Sequence, residues 1–215
     1  MTVVGIVPAG GSGERLGVDR PKAFVVVAGR PLLDWSVGVL ATTCDRVVVA
    51  VPAGYESEPD RVTGGASRSA SVHAALRAAP EAEVVVVHDA ARPLLTVDLV
   101  DRCLAALRDG DHDGVIAAAP VTDTVKETDE HGRVLRTLDR SALWAVQTPQ
   151  VFHAATLRRA LDVDAATLAG ATDDASLVEV AGGAIGVVEA PAENLKVTTP
   201  TDLRLAETLL AERVS

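Results

Sequence analysis

The sequence predicts an α/β fold, a mostly parallel sheet with helices on both faces. Three observations lead there. Short Val- and Ile-rich runs alternate with Ala- and Leu-rich amphipathic stretches, the pattern of strand-helix units around a parallel sheet. The Val-rich runs are apolar almost without interruption, which suits strands buried on both faces. One segment alone breaks the alternation, and it has the pattern of a hairpin.

The strands are expected at Val3 to Val7, Arg46 to Val51, Val84 to His88, Gly114 to Ala119 and Ile185 to Glu189. Helices are expected at Leu32 to Ala41, Ser67 to Ala78, Val97 to Leu107, Ala154 to Leu161 and Thr201 to Glu212. The exception runs from Thr124 to Leu138, where two polar strands flank Asp129-Glu130-His131-Gly132, a turn-forming sequence. It has no evident partner in a parallel sheet and is expected to project as an arm, at about 122–140. The small, polar stretch Ala165 to Gly170 reads as a mobile loop.

Of the 215 residues, 48% are hydrophobic, enough for one sizeable core and one domain over 1–215. Aromatics are only 2%, so Ala, Val and Leu must fill that core. The net charge is −10, which disfavours nucleic acid and anionic lipid as partners. An anionic small molecule would need a local basic pocket. Cys44 and Cys103 stand alone in apolar stretches and read as small buried hydrophobes rather than metal ligands or a disulfide. With no basic leader or long apolar run in view, a reducing cytoplasm is the expected setting.

The first strand ends in Pro8-Ala9-Gly10-Gly11-Ser12-Gly13-Glu14-Arg15, followed by Pro21-Lys22. Such a loop can bring backbone N–H groups against phosphates, with the two cations supplying charge. The plain alternative is a flexible surface loop. No Gly-Lys-Ser/Thr occurs, and Leu16 stands where a dinucleotide fingerprint needs its third glycine, so neither of those nucleotide motifs applies. Lysine occurs only at 22, 126 and 196. In a chain that otherwise uses Arg, a Lys hints at a need for a compact ammonium.

His88-Asp89-Ala90-Ala91-Arg92-Pro93 follows the third strand, at the strand end where ligands of open α/β sheets bind. Asp89 could hold Mg²⁺ on a triphosphate and Arg92 could pair with a phosphate; alternatively Asp89 caps the next helix. His88 lacks a partner at metal or triad spacing and reads as structural. Gly64-Gly65-Ala66-Ser67-Arg68-Ser69-Ala70-Ser71 opens a helix. It would let a base lie against backbone, or would serve simply as an N-cap through Ser67 or Ser69. Thr172 and Thr198 could likewise be caps, and Trp144 reads as packing.

Together with Pro120 to Lys126, Asp139-Arg140, Thr148-Pro149-Gln150, Thr172 to Ser176 and Asn194 to Thr198, these segments resemble the methylerythritol phosphate cytidylyltransferases. The likeness spans almost the whole chain, with the motifs in the family's order. It implies a Rossmann-like three-layer αβα nucleotidyltransferase domain with a projecting β-hairpin arm. It also implies an activity: transfer of a cytidylyl group from CTP to 2-C-methyl-D-erythritol 4-phosphate, with release of pyrophosphate and with Mg²⁺ as cofactor. By resemblance Arg15, Lys22 and Lys196 are the catalytic cations. Ala9, Gly10, Gly11, Gly13, Gly65, Arg68, Ser71 and Asp89 hold CTP, and Asp89 is also the metal ligand. Arg92, Thr124, Arg140, Thr148, Thr172 and Lys196 hold the polyol phosphate. In a homodimer with exchanged arms, Arg140 would serve the neighbour's site.

The chain departs from the family at Pro8, where Ala is usual, at Ala23, where Gln is common, and at Ala66, where an acidic residue is common. A ribitol phosphate cytidylyltransferase is the nearest rival reading, since it would share the nucleotide half. A non-catalytic nucleotide-binding protein is a more distant rival, disfavoured by the presence of Arg15, Lys22, Asp89 and Lys196.

Overall fold

In the computed structural model, which describes residues 1–17 and 19–214, eleven strands and seven α-helices occur among the described residues. The strands are β1 (Val3–Pro8), β2 (Val26–Val27), β3 (Arg30–Pro31), β4 (Arg46–Val51), β5 (Arg61–Thr63), β6 (Val84–Val87), β7 (Gly114–Pro120), β8 (Lys126–Thr128), β9 (Val134–Thr137), β10 (Trp144–His153) and β11 (Ile185–Glu189). The helices are α1 (Leu32–Thr43), α2 (Arg68–Arg77), α3 (Val97–Asp109), α4 (Ala154–Leu161), α5 (Ala165–Gly170), α6 (Asp174–Val180) and α7 (Pro200–Val214). All five expected strands and all five expected helices form, within about two residues of their expected ends.

Seven strands build one sheet in the order β11-β7-β10-β6-β1-β4-β5. Every pairing is parallel except those of β10, which runs antiparallel to both β6 and β7. Each central strand sends alternate side chains to opposite cores. Val85 and Val87 join Val72, Leu157, Leu161 and Val178 on the α2/α4/α6 face. Val84 and Val86 join Leu33, Leu40, Leu99 and Leu107 on the α1/α3 face. Burial on both sides is why Val84–Val87 is uninterrupted valine. A third cluster ties Val27 and Leu32 to Ala206 and Leu210 of α7.

At Gly114 and Gly65 packing leaves no room for a side chain. A Cβ on Gly114 would meet the buried Phe152 ring at 2.4 Å, and one on Gly65 would meet Ala70 Cβ at 2.5 Å. The arm forms as a separate two-stranded sheet, β8 with β9. Two expectations are corrected. Ala165 to Gly170 is not a loop but α5, because Asp164 accepts from the N–H groups of Ala166 and Thr167 and Leu168 is buried. No helix follows Asp89 directly: α3 begins at Val97 and is capped by Thr96, so the capping alternative for Asp89 falls. Cys103 is buried and Cys44 only partly so, both as free thiols; burial raises them to about 12 and about 11. No helix among the described residues is long and apolar enough to cross a membrane.

Candidate active site

The carboxyl ends of β1, β5 and β6 lead into a cavity at the carboxyl edge of the sheet. One lip is the glycine loop with Ala9, Gly10, Gly11, Arg15 and Lys22, and the other is Gly65 to Arg68 with Ser71. Asp89 and Lys196 form its floor. Four cations, Arg15, Lys22, Arg68 and Lys196, thus face one carboxylate, Asp89, in a chain whose net charge is −10. Gly13 lies on an adjoining pocket with Arg15, Lys22 and Thr198.

Local chemistry explains each lip. Lys22 N–H donates to the Gly11 carbonyl at 2.9 Å, which folds the glycine loop back so that Arg15 and Lys22 share a cavity. Gly13 and Gly17 have φ of 84° and 69°, a left-handed backbone for which glycine carries no steric penalty. On the other lip Ser71 donates to the Ser67 carbonyl at 2.9 Å and accepts from Gly65 N–H at 3.1 Å. Its hydroxyl therefore shapes the loop. Ser67 caps α2 by accepting from Ala70 N–H.

Asp89 is the electrostatic hub. Its Oδ1 accepts from Arg68 Nε at 2.9 Å and its Oδ2 pairs with Lys196 Nζ at 2.8 Å and, more distantly, Arg92 Nε at 3.8 Å. Burial pushes this carboxyl up, but Arg68 and Lys196 outweigh burial and hold it well below the usual carboxylate range. Lys22 moves the other way. Burial, then Lys196 and Arg15, bring its ammonium down to about 8.

A second basin lies beyond Asp89 and shares Arg68, Asp89 and Lys196 with the first. Arg92, Thr172, Gln147 and Gln150 also line it. Arg92 is fixed there by donating NH1 to the Asn194 carbonyl at 2.7 Å.

His88 is fully buried, and burial lowers it to about 4. Its Nε2 contacts the Arg92 carbonyl at 3.0 Å. A carbonyl only accepts, so Nε2 carries the proton and Nδ1 accepts from the Thr148 hydroxyl at 2.9 Å. Thr148 in turn accepts from Asp89 N–H at 3.1 Å. Thr148 is 3% exposed and commits its hydroxyl proton to His88, so within the chain it positions the Asp89 backbone. Thr124 and Arg140 are exposed on the arm and line none of these cavities. Arg140 instead donates to the Thr122 carbonyl.

The family model of 2-C-methyl-D-erythritol 4-phosphate cytidylyltransferases matches residues 3–212. The chain belongs to this family. A member named for that activity in Nocardia farcinica is 48% identical, over 100% of this chain and 96% of its own length. One from a Synechococcus strain is 41% identical, over 98% of each. The crystal structure of the Thermus thermophilus cytidylyltransferase superposes with a TM-score of 0.82 at 36% identity, covering 98% of this chain and 100% of that one. The Francisella tularensis structure gives a TM-score of 0.82 at 30% identity, covering 97% and 99%.

Within this cytidylyltransferase the three departures sit on the first cavity. Pro8, Ala23 and Ala66 all line it, and none brings a charge to it. Two site features were missed in the sequence. Gln150 donates to Asp173 at 2.8 Å and accepts from Ala175 N–H, holding α6 against β10. Asp174, wholly buried, pairs with Arg68 at 2.5 Å. The Thr172-Asp173-Asp174 run was the available signal, but nothing in it separates a capping Asp from a buried one.

Proposed function

We propose that the two basins hold the two substrates of the family's reaction. The protein transfers the cytidylyl group of CTP to 2-C-methyl-D-erythritol 4-phosphate, in isoprenoid precursor synthesis. The cavity with Gly10, Gly11, Gly65 and Arg68 takes CTP, and the basin with Arg92 and Thr172 takes the polyol phosphate. The observation that carries the assignment is the wall of Arg68, Asp89 and Lys196 common to both. A phosphate held on one side and an α-phosphorus on the other would meet there.

No side-chain nucleophile is needed. A phosphate monoester has its second pKa near ~6, so the acceptor is mostly dianionic at neutral pH. Its oxygen attacks the α-phosphorus in line. A new P–O bond forms, the bond to the bridging oxygen breaks, and pyrophosphate leaves with the electron pair. Arg15 and Lys22 face the transferring group, and Lys196 spans both substrates. Their task is to hold the anions together and stabilise transition-state charge.

The donor set fits Mg²⁺ brought by a triphosphate. Among the described residues no cluster of three potential ligands occurs, and Mg²⁺ commonly takes one or two carboxylates with substrate phosphates completing its shell. Asp89 would supply the single protein oxygen, and the ion would neutralise triphosphate charge.

The assembly reading is a homodimer with exchanged arms. Val134 and Leu135 on the arm and Trp144 and Val146 at its base are exposed apolar side chains, and an isolated hairpin is marginal in water. Arg140 would then reach the partner's polyol phosphate, with Thr124 beside it. The two free thiols suit a reducing cytoplasm.

The test is pyrophosphate release from CTP with methylerythritol phosphate, erythritol phosphate and ribitol phosphate in parallel. Methylerythritol phosphate should give the highest kcat/KM. Preference for ribitol phosphate, or no release with any acceptor, would overturn the reading.

A further inference from the structure

Asp174 lines neither basin, yet it is fully buried and touches a residue that lines both. It is the first residue of α6, and its placement is fixed from two sides. Asp173 before it caps the helix by accepting from Ser176 N–H at 3.0 Å. Asp173 also accepts from Gln150 Nε2 at 2.8 Å, while Ala175 N–H donates to Gln150 Oε1 at 3.3 Å. The start of α6 is therefore pinned to β10, and Asp174 points inward with 0% exposure.

Its Oδ2 accepts from Arg68 NH1 at 2.5 Å, whereas its Oδ1 is buried without a hydrogen-bond partner. A buried carboxylate oxygen left unpaired is unfavourable, so the arrangement persists on the strength of the single charge-assisted contact to Arg68. Arg68 is held at a second point by Asp89, through Nε at 2.9 Å. Two anchors on one planar guanidinium fix its plane as well as its place. Five N–H groups are available on that fork, and these two bonds leave three for the basins on either side.

We infer that Asp174 is a positioning residue for the cytidylyl transfer, acting only through Arg68. It balances the Arg68 charge from behind, so that Asp89 is not the guanidinium's sole counter-ion and keeps Oδ2 for Lys196. Without it Arg68 would swing wholly onto Asp89 and compete with Lys196, and the wall shared by the two substrates would lose its geometry. This inference rests on the two-basin reading.

The experiment is a double-mutant cycle with steady-state kinetics and thermal unfolding on Asp174→Asn, Arg68→Met and the double variant. Asn keeps the shape and removes the charge. Asp174→Asn alone should lower kcat/KM for CTP and for the polyol phosphate, each by about tenfold, the scale expected of a sub-ångström misplacement. In the Arg68→Met background the same change should cost less than about twofold, since a residue acting through Arg68 has nothing left to act on. A residue that merely supports the fold would cost the same in both backgrounds, and that result overturns the inference. So does an Asp174→Asn protein within about twofold of wild type. Arg68→Met alone leaves Asp174 buried and unpaired and could unfold. The double variant should then recover folding, and failure to recover it counts against the coupling. Absence of wild-type turnover would instead sink the functional reading, leaving the coupling to be decided by the unfolding midpoints alone.

Discussion

Lys22 should set the alkaline limit of catalysis in the free enzyme. Its ammonium is brought down to about 8 by burial, Lys196 and Arg15. It is therefore about nine-tenths charged at pH 7 and about one-tenth at pH 9. If the charged form is the one that receives CTP, kcat/KM should fall about tenfold over that span. The substrates do not confound the window, because phosphate monoesters complete their ionisation near pH ~6. Nor do His88, held near 4, or the two thiols, raised to about 11 and 12. Bound CTP places negative charge beside Lys22 and should restore its proton affinity by one to three units, roughly. The limb should therefore appear in kcat/KM and shift beyond pH 9 in kcat. Unfolding would not explain the loss. A lysine whose folded pKa is depressed opposes folding most below that pKa, and the opposition fades as pH rises from about 8 to 10.5. The Lys22 contribution to stability thus improves where activity fails. Lys22→Arg, charged throughout, should be slower but should lose the limb. A wild-type kcat/KM that is flat between pH 7 and 9.5, or a limb unchanged in Lys22→Arg, would refute the assignment.

Asp89→Asn should cut kcat/KM by about 10²–10³ and raise the Mg²⁺ concentration for half-maximal rate; an unchanged Mg²⁺ titration would remove Asp89 from the metal. Ala28 has φ 47° ahead of Gly29 at 78°, the backbone of a two-residue hairpin turn that favours Asn-Gly. Ala28→Asn should accordingly raise stability by up to about 1 kcal/mol, measured by urea denaturation, without altering kcat. Gly114→Ala should lower stability by about 1–3 kcal/mol, because its Cβ would sit 2.4 Å from the Phe152 ring; an unchanged unfolding midpoint would mean that the ring moves freely.

The buried parallel strands were legible because burial on two faces leaves no room for a polar residue. Strand β10 was not, although it is central. Trp144-Ala145-Val146-Gln147-Thr148-Pro149-Gln150 carries a proline and three polar side chains, which ordinarily argue against a central strand. Its ladder skips between Val146 and Gln150, where Pro149 has no N–H to offer. The polar residues are there because they serve the site: Thr148 holds Asp89, Gln150 holds α6, and Gln147 accepts from Asn194. Local function overrode the strand pattern. The glycine loop, Asp89 and Lys196 were legible by contrast, since a glycine-rich turn after the first strand, an Asp just past a buried strand and one of only three lysines have few structural reasons to occur together. Asp174 was not, since a sequence does not record which of two adjacent aspartates turns inward.

The direction of β10 also explains where the arm goes. Parallel strands deliver only their carboxyl ends to the site edge. An antiparallel strand delivers its beginning there, and the pairing of Gln150 with Val87 sets the residues before Gln150 level with His88 and Asp89. Strand β7 leaves the sheet at Pro120 and β10 returns at Trp144 opposite that same Pro120. The arm is thus the extended connection of a β7–β10 antiparallel pair and must emerge at the edge that carries both basins. A hairpin fixed there has apolar residues exposed and Arg140 outside the three cavities described above, and the proposed homodimer would use it to complete a neighbouring site. Mixing inactive Arg140→Ala and Lys22→Ala proteins under subunit exchange is the decisive measurement. With shared sites, a mixed dimer holds one site with both lesions and one with neither, so activity should return to at most one working site per mixed dimer. No recovery despite demonstrated exchange would mean that Arg140 serves its own subunit.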